Sequence, residues 1–282
     1  MNMPNILVFG GPNCGKTHYA AQLLGRLKRK SGNLKIRVGD GSSTNLNTLE
    51  HVLTRLEDGN AADHTPADHY SEILLPLVDE RDNKFELHWP DYGGEQVSNL
   101  FKSREFSSNW RVRLENSDGW VLFIRLSGET IFPEDFSRLT ASATTTLDMP
   151  KRPDIWDANA YYIELIQMLC HLAGRNISYS TDKPPLALVL SCYDELNPED
   201  KTPSIFLQKK LPLFFSFIHS IWPADKLSVW GVSSLGKELN FNSNDDAFID
   251  DGPENQGWVI RPHSLDKNDD LTQPLSWVLE QR

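Results

Sequence analysis

Residues 9–17 read FGGPNCGKT. Gly10, four residues, and then Gly15-Lys16-Thr17 is the phosphate-loop spacing. The spacing carries weight only where a strand precedes it and a helix follows, and both are legible. Residues 6–9 (ILVF) are wholly apolar, as a central parallel strand covered on both faces requires. From Lys16 to Lys30 the apolar positions Ala20, Leu23, Leu24 and Leu27 fall on one helical stripe. Glycines let backbone N–H groups turn inward around a polyphosphate, and the helix N-terminus behind them adds partial positive charge. Lys16 then reaches the β- and γ-phosphates and the Thr17 hydroxyl ligates Mg²⁺, with Pro12, Asn13, Cys14 and His18 in the same phosphate-lining stretch. The plainer reading is a glycine-rich turn between a strand and a helix.

The chain has 282 residues, 39% of them apolar, with eight Trp, so a packed core needs no covalent staples. Cys14, Cys170 and Cys192 show no C-x-x-C spacing and are odd in number, which points to a reducing cytosol. The net charge of −11 argues against nonspecific binding to nucleic acid. The basic cluster at 26–30 (RLKRK) ends the first helix, where it complements the helix dipole as a solvated face. The apolar run at 6–9 is too short for a signal peptide. The longest apolar run, 211–222, is interrupted by Pro212, Ser216, His219 and Ser220, and no membrane span is expected.

Residues 34–38 read as a small strand, and Leu46, Leu49, Val52, Leu53 and Leu56 as an amphipathic helix stopped by Asp58-Gly59-Asn60. Residues 71–78 and 84–89, joined by a charged turn, read as a β-hairpin, with Pro76 placing the first strand at an edge. Residues 119–126, 186–190 and 227–232 read as further buried strands. Helices are expected along Tyr162–Cys170, over 211–221 and over the last residues, from Leu271 to Leu279. Residues 127–157 and 241–268 read as irregular. Alternating strands and helices make an α/β doubly wound sheet, mostly parallel, with one antiparallel edge hairpin.

In an open α/β sheet, ligands bind outside the carboxyl ends of the strands. Four strands end there in polar groups. The first ends in the phosphate loop. The strand at 84–89 leads to Asp91, an acid able to hold Mg²⁺ opposite Thr17, and to Gly93-Gly94, where backbone can approach a γ-phosphate. The strand at 186–190 leads to Ser191-Cys192-Tyr193-Asp194. A carboxylate at Asp194 accepts both the N1–H and the exocyclic amine of guanine and repels the N1 acceptor of adenine. The strand at 227–232 leads to Ser233-Ser234-Leu235, whose backbone N–H groups can meet the base oxygen.

That order resembles the Ras-like, translation-factor-related P-loop GTPases, from Asn5 to about Trp277. The resemblance implies a P-loop, Ras-like G domain over 1–282, with insertions at about 127–183 and 237–268. Asp91-Tyr92-Gly93-Gly94 matches the D-x-x-G of switch II, and Thr65 stands where switch I has its Mg²⁺-binding threonine. Ser191–Asp194 stands where N/T-K-x-D belongs, and Ser233-Ser234-Leu235 where S-A-K/L belongs. Three residues depart from the pattern: Cys192 replaces a lysine, Ser191 replaces Asn or Thr, and Glu95 replaces the glutamine that orients the attacking water in many members. Length, the insertion before the strand at 186–190 and the final PLSWVL look like the bacterial double-GTPase families associated with conflict and defence operons.

The resemblance implies a cytoplasmic, GTP- and GDP-binding, Mg²⁺-dependent switch that signals to an effector or regulator, including a second GTPase. Lys16, Thr65 and Glu95 are then its catalytic residues, and Thr17, Thr65 and Asp91 its metal residues. Gly94 and Thr65 report the γ-phosphate, and an arginine finger comes from Arg104, Arg111, Arg113 or a partner. Slow turnover without a partner is expected from Glu95. A nucleotide-binding scaffold with negligible turnover is the alternative, and an ATP-using P-loop ATPase or kinase a third. Oligomeric state is not legible.

Overall fold

The structure is a computed structural model that describes residues 4–29, 33–37, 46–62, 70–92, 97, 101, 103–105, 108–132, 156–179, 181, 183–196, 200–242 and 244–282; the side chains of 70–72, 90–92 and 109 lie outside that description. Its strands are β1 (Asn5–Gly10), β2 (Leu34–Ile36), β3 (Tyr70–Asp79), β4 (Lys84–Tyr92), β5 (Gly119–Ile124), β6 (Leu186–Ser191), β7 (Leu227–Ser233), β8 (Trp258–Ile260) and β9 (Lys267–Asn268). Among the described residues these form one sheet in the order β2-β3-β4-β1-β5-β6-β7-β8-β9. The stretch from β4 through β7 is parallel. Antiparallel strands flank it, β3 and β2 on one margin and β8 and β9 on the other.

The helices are α1 (Lys16–Arg29), α2 (Leu46–Glu57), α3 (Ser108–Glu115), α4 (Ala158–Leu172), α5 (Pro203–Lys210), α6 (Pro212–Ile221), α7 (Asp246–Asp251) and α8 (Gln273–Glu280). Every residue of β5 and β6 is buried, because helices cover both faces. Side-chain alternation sorts the core into two layers. Leu7, Trp120, Leu122, Leu188 and Leu190 face Leu165 and Leu169 of α4 and Phe214 and Ile218 of α6. Ile6, Val8, Val121, Phe123 and Val189 face Leu23 and Leu24 of α1 and Leu275 and Val278 of α8. The doubly wound, mostly parallel sheet read from the sequence is the observed fold.

Several readings are corrected. β3 is not an edge strand, because β2 pairs with it through Leu34↔Asp79, Lys35↔Val78 and Ile36↔Leu77. Pro76 leaves its mark on the length of that ladder. Its carbonyl accepts from the Arg37 N–H at 3.0 Å, so its donor-less nitrogen also faces β2, and β2 stops there. β4 continues past residue 89 to Tyr92, in register with β3 through Ser71↔Asp91 and Tyr70↔Tyr92. β5 stops at Ile124, two residues short of the expected end. The segment read as irregular at 241–268 contains α7, β8 and β9, so antiparallel pairing occurs on both margins. α5, absent from the sequence reading, starts on Pro203 at a position where proline loses no helical hydrogen bond. Most of the expected loop at 127–157 lies outside the described residues.

Candidate nucleotide-binding site

The loop between β1 and α1 is tightly built. A Cβ at Gly10 would stand 2.6 Å from the Phe123 carbonyl oxygen and 2.9 Å from the Cys14 sulfur, so only glycine fits. Gly15 has φ +74°, the left-handed region that favours glycine, and Asn13 has φ 54°. The Lys16 ammonium is buried in the loop and donates to the carbonyls of Gly10 at 2.9 Å and Gly11 at 2.8 Å, with the Cys14 sulfur at 3.2 Å. Pro12 is exposed at the loop's outer side, and Thr17 is half-buried in the first turn of α1. The His18 ring is engaged elsewhere: its Nε2 accepts from the Ala62 N–H at 3.1 Å, tying α1 to the chain just before the segment that holds Thr65.

At the end of β6, Ser191 is buried, and its hydroxyl has no hydrogen-bond partner among the described residues. Cys192 is left-handed, with φ 48° and ψ 44°, which reverses the chain after the strand. Its sulfur stands 3.4 Å from where a Cβ on Gly15 would sit, so this turn lies directly on the phosphate loop. Burial pushes the Cys192 thiol up to about 12, with the neighbouring Glu195 carboxylate adding to the effect. Tyr193 anchors the turn beneath Gly231, where a Cβ would meet the ring at 3.0 Å. The half-buried Asp194 follows.

Ser233 ends β7 fully buried, and its hydroxyl accepts from the Gly236 N–H at 2.9 Å. Half-buried Ser234 and Leu235 follow. Gly257, at φ +80°, packs so closely that a Cβ there would stand 2.3 Å from the Ser234 carbonyl oxygen. The loop bearing Gly257 is held by the buried Arg26 of α1, which donates to the carbonyls of Gln256 and Asp269 and, at 3.3 Å, of Gly257.

Asp91 stands on β4 three residues past His88, as Gly10 stands on β1 three residues past Leu7, and Leu7 and His88 are paired. The backbone therefore carries Asp91 to the phosphate-loop edge of the sheet; its side chain is outside the described atoms. Thr65, Gly93, Gly94 and Glu95 lie outside the described residues. Arg104 is paired with Glu164 and lies over the Phe101 ring, and Arg111 is paired with Glu115 one turn along α3. The residue missed by the sequence reading is Arg125. It directly follows β5 at the same edge, bonds Glu195 through two nitrogens, and donates to the Asn13 carbonyl. Its position just after an apolar strand was the available signal. A separate cleft of about 680 Å³ lies between Asp225, Arg261 and Trp277 beside the first half of β7, at the other end of the parallel strands.

A glycine-bounded phosphate loop between a central strand and its helix, on a parallel sheet with an antiparallel hairpin beside it, defines a P-loop protein with the Ras-like G-domain fold. The particular family follows from the sequence: the chain belongs to the Double-GTPase 1 family, whose model matches residues 7–278. Among solved structures, the chain is similar to the Arl6 BBS3 small GTPase from Trypanosoma brucei with a bound GppNp analogue, at 13% identity, TM-score 0.42, over 99% of this chain and 96% of that one. It is similar to the signal recognition particle receptor SRb-GTP/SRX complex from Chaetomium thermophilum at 13% identity, TM-score 0.41, over 85% and 94%. The S. cerevisiae Ski7 GTPase-like domain, bound to GDP and inorganic phosphate, matches at 18% identity and TM-score 0.38; 82% of this chain spans less than half, 43%, of that one. Curated protein sequences give no significant match. Family membership supports guanine-nucleotide binding and GTPase activity in general.

Proposed function

We propose that the chain, read as one G domain over 1–282, is a cytoplasmic, Mg²⁺-dependent switch that binds GTP and GDP at this rim and hydrolyses GTP. The observation that carries the reading is the seat of Cys192 on Gly15, which puts the turn bearing Asp194 against the phosphate loop. Asp194 accepts from N1–H and the exocyclic amine of guanine, Ser191 opens the same turn with its hydroxyl, and the Ser233-Ser234-Leu235 backbone faces the base oxygen. Lys16 exchanges neutral loop carbonyls for phosphate oxygens, a stronger, charge-assisted set of bonds. The glycine cradle at Gly10 and Gly15 fits close approach of phosphates to backbone.

Thr17 and Asp91, with Thr65, are the residues that would hold Mg²⁺, which when bound neutralises charge between the phosphates. Gly94 and Thr65 contact the γ-phosphate and order two loops that a partner reads, and Glu95 or a partner's group orients the attacking water. A carboxylate cannot donate a hydrogen bond while ionised, so turnover by the chain alone is expected to be slow. The partner is an effector or regulator protein, with a second GTPase favoured by the family's description; a bacterial defence system is the setting that the sequence resemblance implies. The odd number of cysteines, with no C-x-x-C spacing, favours a reducing compartment.

Phosphate release from GTP with Mg²⁺, measured with and without a second GTPase added as candidate partner, tests this. Turnover that is lost in Asp91→Ala supports the switch. Tight GTP binding without turnover under every condition favours the scaffold reading, to which Cys192 and Glu95 point.

A further inference from the structure

Arg125 touches two parts of the rim at once. Its guanidinium forks onto Glu195, with Nε to Oε2 at 3.0 Å and Nη2 to Oε1 at 2.5 Å, and its Nη1 donates to the Asn13 carbonyl at 3.2 Å. The Ser127 hydroxyl donates to the same carboxylate. Glu195 is the residue after Asp194, and its N–H donates to the Cys192 carbonyl at 3.0 Å. The two side chains are 34% and 21% exposed, so the two-nitrogen fork is partly shielded from water, which favours a stronger ion pair than a fully exposed one. Burial raises Glu195, but hydrogen bonds from Arg125 and Ser127 outweigh it and hold the carboxyl below the usual carboxylate range.

The junction also lacks something. Position 192, where the resemblance implies a lysine, holds a neutral thiol whose sulfur rests over Gly15. Arg125 is a cation interacting with that thiol, and it arrives from just past a different strand, β5. Asn13, whose carbonyl Arg125 holds, lies in the left-handed region at φ 54°, so the bond fastens Arg125 to the tight bend of the phosphate loop.

We propose that Arg125 is a positioning residue for guanine-nucleotide binding: it supplies from β5 the positive charge absent at position 192 and fastens the Asp194 turn to the phosphate loop. The base site and the phosphate site are thereby held at one spacing before the ligand arrives, so less ordering remains at binding. This inference rests on the guanine-nucleotide reading above.

Calorimetric titration of the purified chain with GDP in Mg²⁺ buffer tests it. Arg125→Ala is expected to weaken GDP by about 10- to 100-fold, the range for losing a hydrogen-bonded charge. Arg125→Lys keeps the charge but not the fork, and falls between. Glu195→Gln keeps the shape and removes the pair's negative charge, and is expected to weaken GDP by about tenfold; it reads the brace even if Arg125→Ala fails to fold. The decisive variant is Arg125→Ala/Cys192→Lys, which restores most of the lost affinity. A packing role for Arg125 alone would not be repaired from position 192. Unchanged GDP affinity in Arg125→Ala and Glu195→Gln, or no rescue by Cys192→Lys, overturns the brace while leaving guanine-nucleotide binding standing. Absence of GDP binding by the unaltered chain overturns both.

Discussion

Lys16 presents three donors, and the loop itself occupies them with two carbonyls and a sulfur. Phosphate oxygens are better acceptors for an ammonium, so Lys16→Ala should lower nucleotide affinity at least about tenfold without unfolding the chain; titration with GDP beside a thermal melt checks this. Asp194→Asn replaces an acceptor with an amide whose donor faces N1–H of guanine, and should weaken GTP far more than ATP in a paired titration. Cys192 should behave as an inert thiol. Its raised pKa, about 12, leaves almost no thiolate at pH 8, so iodoacetamide should label it far more slowly than a free cysteine thiol, with the rate still rising above pH 9. Peptide mapping by mass spectrometry would read that, and rapid labelling at pH 8 would contradict it. Lys16 and the turn around Cys192 are legible in the sequence because each motif is local. Arg125 is not, because its partners Asn13 and Glu195 lie 112 and 70 residues away along the chain. No spacing rule links them; only the parallel order of β1, β5 and β6 does.

Elements were legible in proportion to their length and apolar content. β1, β5, β6 and β7 are apolar runs long enough to read as buried strands, and α2 shows both its stripe and its stop, where Gly59 has φ +71° and its N–H donates to the Leu56 carbonyl at 2.9 Å. β8 and β9 are three and two residues long in a polar segment, too short for a period to show. Their pairing depends on β7 being available to receive them. The docking of α8 gives a sharp test of element packing. A Cβ on Gly119, the first residue of β5, would stand 2.1 Å from a Val278 methyl. Gly119→Ala should therefore destabilise the chain by about 1–3 kcal/mol, and Gly119→Ala/Val278→Ala should lose less than the sum of the two single changes. Urea denaturation of the four proteins measures the coupling, and strict additivity would mean that α8 shifts freely.

Across the whole molecule, the sheet sets where chemistry is possible. Five adjacent parallel strands, β4 through β7, deliver Asp91, the phosphate loop, Arg125, Asp194 and Ser233 to one edge, although these residues are scattered over most of the chain. Among the described residues, no helix is long and apolar enough to cross a membrane, and the net charge of −11 disfavours a polyanion lying on the general surface. A single purine nucleotide spanning two turns of one rim is the ligand proposed for this edge. Titrating the unaltered chain with GDP and with ADP under identical Mg²⁺ conditions addresses that claim without any substitution. The account predicts GDP bound at least about a hundredfold more tightly than ADP, because only guanine offers Asp194 two donors. Equal affinity for the two nucleotides would contradict it.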